Sequence, residues 1–203
     1  QILFNEEDVN KFKVDIKHEL WGGRKLYDLY NEAYTPWEWH SELFELCSSL
    51  NVIPFSSPFD LTAVDFLESL NCSIYKIASL ETSDHTLIKK VAETGKPIII
   101  STGATTWEEI EELVEVVKKT GNTNLTLLVC TSAYPADPVD SHINRITTLQ
   151  KSFGVDVGLS DHTTSSYACL GAVALGASIL ERHFTDRMDR PGPDIICSMD
   201  PST

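Results

Sequence analysis

Six short apolar runs, rich in β-branched residues, constrain the fold of this chain more than any other feature. They lie at 52–56 (VIPFS), 74–79 (IYKIAS), 97–102 (PIIIST), 125–130 (LTLLVC), 155–160 (VDVGLS) and 178–183 (SILERH), starting 22 to 30 residues apart. The segments between them carry helical periodicity. In "TTWEEIEELVEVVKKTG" (105–121), apolar residues recur at spacings of three and four, acids lead, lysines trail, and Gly121 stands where a C-cap belongs. "DLTAVDFLESL" opens on an Asp N-cap, and "SDHTLIKKVAETGK" offers Ser83 or Asp84 as a cap before ending at Gly95. Strands that alternate with helices predict βαβ units and a parallel sheet, and near-continuous apolar strands predict a sheet covered on both faces.

Six such units fit either an open doubly wound sheet or most of a (β/α)8 TIM barrel, and the polar residues separate the two. There is no G-x-G-x-x-G and no P-loop. Instead, polar residues close every run: Ser56-Ser57, Ser79 with Glu81, Ser101-Thr102, Thr131-Ser132, Ser160-Asp161-His162, and His183 with Thr185. A barrel builds its site from such strand tips on one face. The expected class is therefore α/β, a TIM barrel incomplete here. About six units are present and the first two strands are missing, since a full barrel needs eight units and typically about 250 residues.

The first fifty residues differ. Residues 1–34 read as an irregular segment, a lid or an oligomer contact, and the β/α units occupy 35–203. An amphipathic helix is expected from Thr35-Pro36, with the proline at its first position.

His162 and His183 end consecutive strands, so their imidazoles are candidates to meet over the barrel mouth. Two imidazoles suit a divalent transition metal such as Mn, Fe, Co or Zn, with positions left open for substrate oxygens. The alternative is that each merely bonds loop backbone. Lys76 lies inside an apolar strand, where lysine is rarely unpaired. It is a candidate anion contact, with an internal ion pair to Glu81 or Glu181 as the alternative. The hydroxyls of Ser57, Ser79, Ser101, Thr102, Ser132 and Ser160 form a possible donor ring for phosphate. "SDH" is not a catalytic triad, because its members are adjacent and no nucleophile elbow is present. "RMDRPGPD" (187–194) is a stiffened loop that either is a plain surface turn or aims Asp194 at the site.

Composition excludes other classes. With 30 acidic against 16 basic residues the formal charge is −14, which lacks the basic footprint of nucleic-acid or anionic-membrane binding. No apolar run approaches a membrane span, and no signal peptide is visible. Five widely spaced cysteines without C-x-x-C favour reduced thiols and a cytoplasmic setting over a disulfide framework or a zinc knuckle.

"FSSPFD", "YKIAS", "GKPIIISTG", "CTSAYPADP", "VGLSDHT", "AVALGASILERHFTDRMDRPGPD" and "CSMDP" together resemble the sialic acid synthase family. "LWGGRKLYDLYNEAYTPWEWH" is more similar to its pseudaminic acid branch, and the 165–194 region to N-acetylneuraminate synthases. The resemblance implies condensation of phosphoenolpyruvate with an N-acetylated amino sugar to give a nine-carbon acid and phosphate. The sugar is of the N-acetylmannosamine type or, alternatively, a 6-deoxy-diacetamido hexose. The resemblance assigns His162 and His183 to the metal, expected to be Mn2+ with Mg2+ or Co2+ as substitutes. It assigns Lys76, Ser79, Ser101, Ser160 and Ser57 to phosphoenolpyruvate, with Ser132 where some members have Asn. Glu81, Tyr134 and Asp194 match sugar-side residues, with Leu80 where many members have Gly. The expected catalytic set is Lys76, Glu81, His162 and His183. A homodimer, an upstream portion with a further glutamate and lysine, and a C-terminal antifreeze-like domain are also implied, so the chain reads as a fragment. A reading from another class is an inactive sugar-phosphate-binding remnant.

Overall fold

The computed structural model describes residue 13 and residues 22–203. The chain forms two compact units, residues 1–54 and 55–203. In the first, helix α1 (Leu26–Ala33) is followed by a 3-10 turn (Trp37–Trp39) and helix α2 (His40–Ser49). Part of the segment expected to be irregular is thus helical, and 1–12 and 14–21 lie outside the described residues. Pro36 stands as N-cap of the 3-10 turn and not inside an α-helix, because the chain tightens to i→i+3 bonding before α2 begins.

The second unit runs α3 (Leu61–Ser69), β1 (Tyr75–Ile77), α4 (His85–Glu93), β2 (Ile98–Ser101), α5 (Trp107–Lys119), β3 (Leu125–Cys130), α6 (Arg145–Phe153), β4 (Asp156–Asp161), α7 (Tyr167–Ala174) and β5 (Leu180–Arg182). Strands pair in chain order, β1 to β5, and every pairing is parallel. Five strands form among the described residues, not six. The run at 52–56 contributes only a bridge from Ser56 to Tyr75. Pro54 removes an N–H from that run, and a three-residue β1 gives it little to pair with.

The helices follow from their ends and faces. In α5 the Thr106 side chain accepts from Glu109 N–H while the Glu109 carboxylate accepts from Thr106 N–H, and Gly121 leaves the helix at positive φ. Its stripe of Ile110, Leu113, Val114 and Val117 is buried. Asp60 and Asp84 cap α3 and α4 through Ala63 and Leu87 N–H. Tyr75, Ile77, Ile98, Ile100, Leu127, Leu128, Val157 and Leu159 fill the strands, each 4% exposed or less. Burial of such a side chain contributes roughly 1.5–3 kcal/mol.

The sheet is strongly curved. Lys76 Nζ on β1 lies 3.5 Å from Glu181 Oε2 on β5, at the opposite end of the strand order. In a flat sheet the two strands would stand four spacings apart, roughly 19 Å at about 4.8 Å each, beyond the reach of the two side chains. The unit is a parallel β/α half-barrel whose concave face brings first and last strands together.

Candidate active site

The concave face carries a cluster at the C-terminal strand ends. Alternation along β4 points Ser160 and His162 the same way, and along β5 Glu181 and His183. Ser160 Oγ donates to Glu181 Oε1 at 2.7 Å. The rings of His162 and His183 lie 5.3 Å apart, centroid to centroid. Tyr134, on the loop after β3, packs tilted against His162 at 4.2 Å and meets His183 edge-on at 5.5 Å.

Each imidazole has an anchor. His162 Nδ1 lies 3.0 Å from the Thr131 carbonyl and 3.9 Å from Cys130 Sγ, and His183 Nδ1 lies 3.6 Å from Asp194 Oδ2. Burial lowers the pKa of His183, aided by the neighbouring His162 and opposed by Asp194. Burial acts the same way on His162, but the Cys130 sulfur and the Thr131 carbonyl outweigh it and the net direction is upward. Burial, with the charges of Cys130 and Asp194, pushes Tyr134 up to about 12, so its hydroxyl stays a donor.

His162, held at Nδ1 by the Thr131 carbonyl, and His183, with Asp194 near its Nδ1, each leave Nε2 as a candidate metal ligand. Nitrogens bound about 2.1 Å from one ion place ring centroids roughly 5 Å apart, so the observed separation fits a shared ion. Among the described residues no group of three His, Cys, Asp or Glu side chains converges on one point. The pair therefore fits a two-histidine site open to substrate oxygens and does not fit a closed structural one.

Lys76 is buried, with Nζ donating to the Ile77 carbonyl at 3.2 Å and paired with Glu181. The internal ion pair weighed from sequence is present, and it lies within the cluster. Ser79 Oγ accepts from Gly103 N–H at 3.0 Å. Ser101 Oγ and Glu81 Oε2 are buried without a hydrogen-bond partner. Glu81 lies close enough to Lys76 for its charge to be felt. Ser132 is exposed, 3.9 Å from Cys130 Sγ, and Ser57 is half-buried beside β1 and makes none of these contacts. Glu181 joins the cluster without having been a predicted site residue. Its signal was a carboxylate two positions before His183 on the same strand face.

A model of the NeuB family matches residues 1–203. The chain belongs to the NeuB family. This NeuB chain is 46% identical over 185 residues to the pseudaminic acid synthase of Helicobacter pylori, across 91% of this chain and 54% of that one. It is 36% identical over 156 residues to the N-acetylneuraminate-9-phosphate synthase of Drosophila melanogaster, across 76% and 42%. Its fold matches the crystal structure of N-acetylneuraminic acid synthetase from Leptospira borgpetersenii in complex with citrate. The TM-score is 0.83 and the identity 32%, over 86% of this chain and 61% of that one. The NeuB chain spans about half the length of the curated relatives it matches.

Proposed function

We propose that this chain is the catalytic half-barrel of a nonulosonic acid synthase. The enzyme condenses phosphoenolpyruvate with an N-acetylated amino sugar and consumes one water, releasing phosphate and a nine-carbon 2-keto acid. The observation that carries the reading is the approach of His162 to His183 beside Tyr134, on the same concave face as Lys76, in a NeuB chain. In the complete protein the half-barrel is part of a (β/α)8 barrel that works as a cytoplasmic homodimer.

His162 and His183 would hold a divalent ion, Mn2+ by preference. When bound, that ion supplies Lewis-acid polarisation of the open-chain sugar aldehyde. Lys76, freed from Glu181, and the hydroxyls of Ser79, Ser101 and Ser160 hold phosphate and carboxylate oxygens, orienting the enol carbon toward the aldehyde. Ser57 and Ser132 extend that ring. Glu81, Tyr134 and Asp194 face the sugar. For the sugar itself, the higher identity to a pseudaminic acid synthase than to an N-acetylneuraminate-9-phosphate synthase favours a 6-deoxy-diacetamido hexose over N-acetylmannosamine.

The test is phosphate release by the full-length protein with each sugar. Release should require phosphoenolpyruvate, favour the diacetamido sugar and vanish in His183→Ala. Lys76→Met should raise KM for phosphoenolpyruvate more than KM for the sugar. Release that survives in the chelator-treated His183→Ala protein sinks the metal role, and an unchanged phosphoenolpyruvate dependence in Lys76→Met sinks the anion role.

A further inference from the structure

Behind the two histidines, on the opposite face of the same two strands, sits a buried ion pair. Asp161 precedes His162 on β4, Arg182 precedes His183 on β5, and the two are the last register partners of the ladder. Arg182 Nε lies 3.6 Å from Asp161 Oδ2, with side-chain exposures of 7% and 1%. We propose that Asp161 and Arg182 are positioning residues that fix the two imidazoles relative to each other, a role that rests on the metal reading above.

The argument begins with β5. It has three residues, lies at the end of the strand order, and pairs with β4 at only three positions. Pairing between β4 and β5 therefore ends one residue before each histidine, and the His162 and His183 carbonyls accept instead from Ala136 and Met199 N–H. The Arg182 guanidinium links the two segments directly. Arg182 Nη2 donates to the Thr163 carbonyl at 2.7 Å and reaches the Cys197 carbonyl at 3.5 Å, while Nη1 reaches Ser166 Oγ at 3.4 Å. It thus ties β5 to the loop that carries His162 and to the turn headed by Asp194, the carboxylate beside His183. Asp161 completes the clamp from β4. Its Oδ1 accepts from Thr163 N–H at 2.9 Å and its Oδ2 from Cys169 Sγ at 3.2 Å.

Energetics favour positioning over stability. A buried ion pair is weak evidence of stabilisation, because desolvation offsets its attraction. The pair itself makes no hydrogen bond, since Arg182 Nε is buried without a partner, and direction comes from the Nη contacts and from Asp161 to Thr163. A slip of one residue would turn each histidine to the wrong face. Groups that orient metal-binding histidines typically govern 10- to 100-fold of metal affinity.

The experiment is Mn2+ titration calorimetry on the full-length protein, with thermal unfolding as a control. Asp161→Asn keeps the contact to Thr163 and removes the charge; Arg182→Lys keeps the charge and removes the fork. Each should fold and bind Mn2+ about 10- to 100-fold more weakly than wild type. Affinity within twofold of wild type in folded variants overturns the proposal. If either single variant fails to fold, the double variant Asp161→Leu/Arg182→Met, which leaves no charge unpaired, takes its place with the same expected loss. Should the double variant also fail to fold, the pair is a folding determinant and the proposal falls. A wild-type protein that binds no Mn2+ overturns the metal reading together with this one, an outcome distinct from equal binding by wild type and variants.

Discussion

Glu81 shows at the scale of one residue what the concave face demands. Its Oε2 is buried with no hydrogen-bond partner, and burial raises the carboxyl pKa although the Lys76 charge pulls the other way. A carboxyl whose pKa is higher folded than unfolded favours the native state most below its unfolded value. That contribution is lost as pH rises through the folded value. At neutral pH the charged group is thus a liability to the fold. Glu81→Gln, which cannot ionise, should therefore be more stable than wild type at pH 7. The gain should disappear below about pH 4. Urea unfolding at both pH values checks it, and a variant that is less stable at pH 7 refutes it. If Glu81 serves the sugar, the same variant turns over poorly. The sequence exposed such residues unevenly. His162, His183 and Lys76 broke apolar runs and were visible for that reason. Glu181 was visible only as a counter-charge, because membership of the cluster depends on curvature that no local pattern encodes. The exposure of Ser132 and the detachment of Ser57 were hidden for the same reason.

At the scale of elements, the strands at 74–79, 97–102, 125–130, 155–160 and 178–183 were legible from apolar β-branched runs. The helices were legible from caps, as in Thr106 with Glu109. The run at 52–56 misled because its composition is that of a strand while Pro54 and the absence of a full-length partner limit it to one bridge. Gly158, within β4, marks a constraint that composition does not show. A Cβ there would collide with the Ile179 carbonyl oxygen and come within 2.8 Å of Leu128 Cδ2. That same carbonyl accepts from Leu159 N–H at 3.0 Å, so it cannot retreat without loosening β5. Gly158→Ala should cost about 1–3 kcal/mol by overpacking and weaken Mn2+ binding through displaced His183. Denaturant unfolding and metal titration measure both, and a variant with native stability and native affinity contradicts the account.

At the scale of the molecule, the half-barrel leaves apolar surface open. Strands β1 and β5 end the sheet. Tyr167, Leu170 and Val173 form an exposed stripe on α7, at 81%, 66% and 55% exposure. Sheet ends and contiguous apolar stripes invite association. Residues 1–203 produced alone should therefore elute from size exclusion as aggregates and unfold without a cooperative transition. A monodisperse, cooperatively melting species would show that these surfaces are tolerated. Among the described residues, no helix is long and apolar enough to cross a membrane.

The closeness of β1 and β5 also has a meaning in time. Neighbouring strands pair across short stretches of chain, from Tyr75 with Ile98 to Leu159 with Leu180. Lys76 and Glu181 meet across 181 − 76 = 105 residues. Contacts between near sequence neighbours form readily, whereas distant ones wait for the intervening chain to be ordered. As the ribosome releases the chain, the scaffold therefore precedes the chemistry. A nascent segment that stops short of residue 180 already holds Lys76 and His162, but it has neither the second imidazole nor the Glu181 counter-charge until β5 arrives.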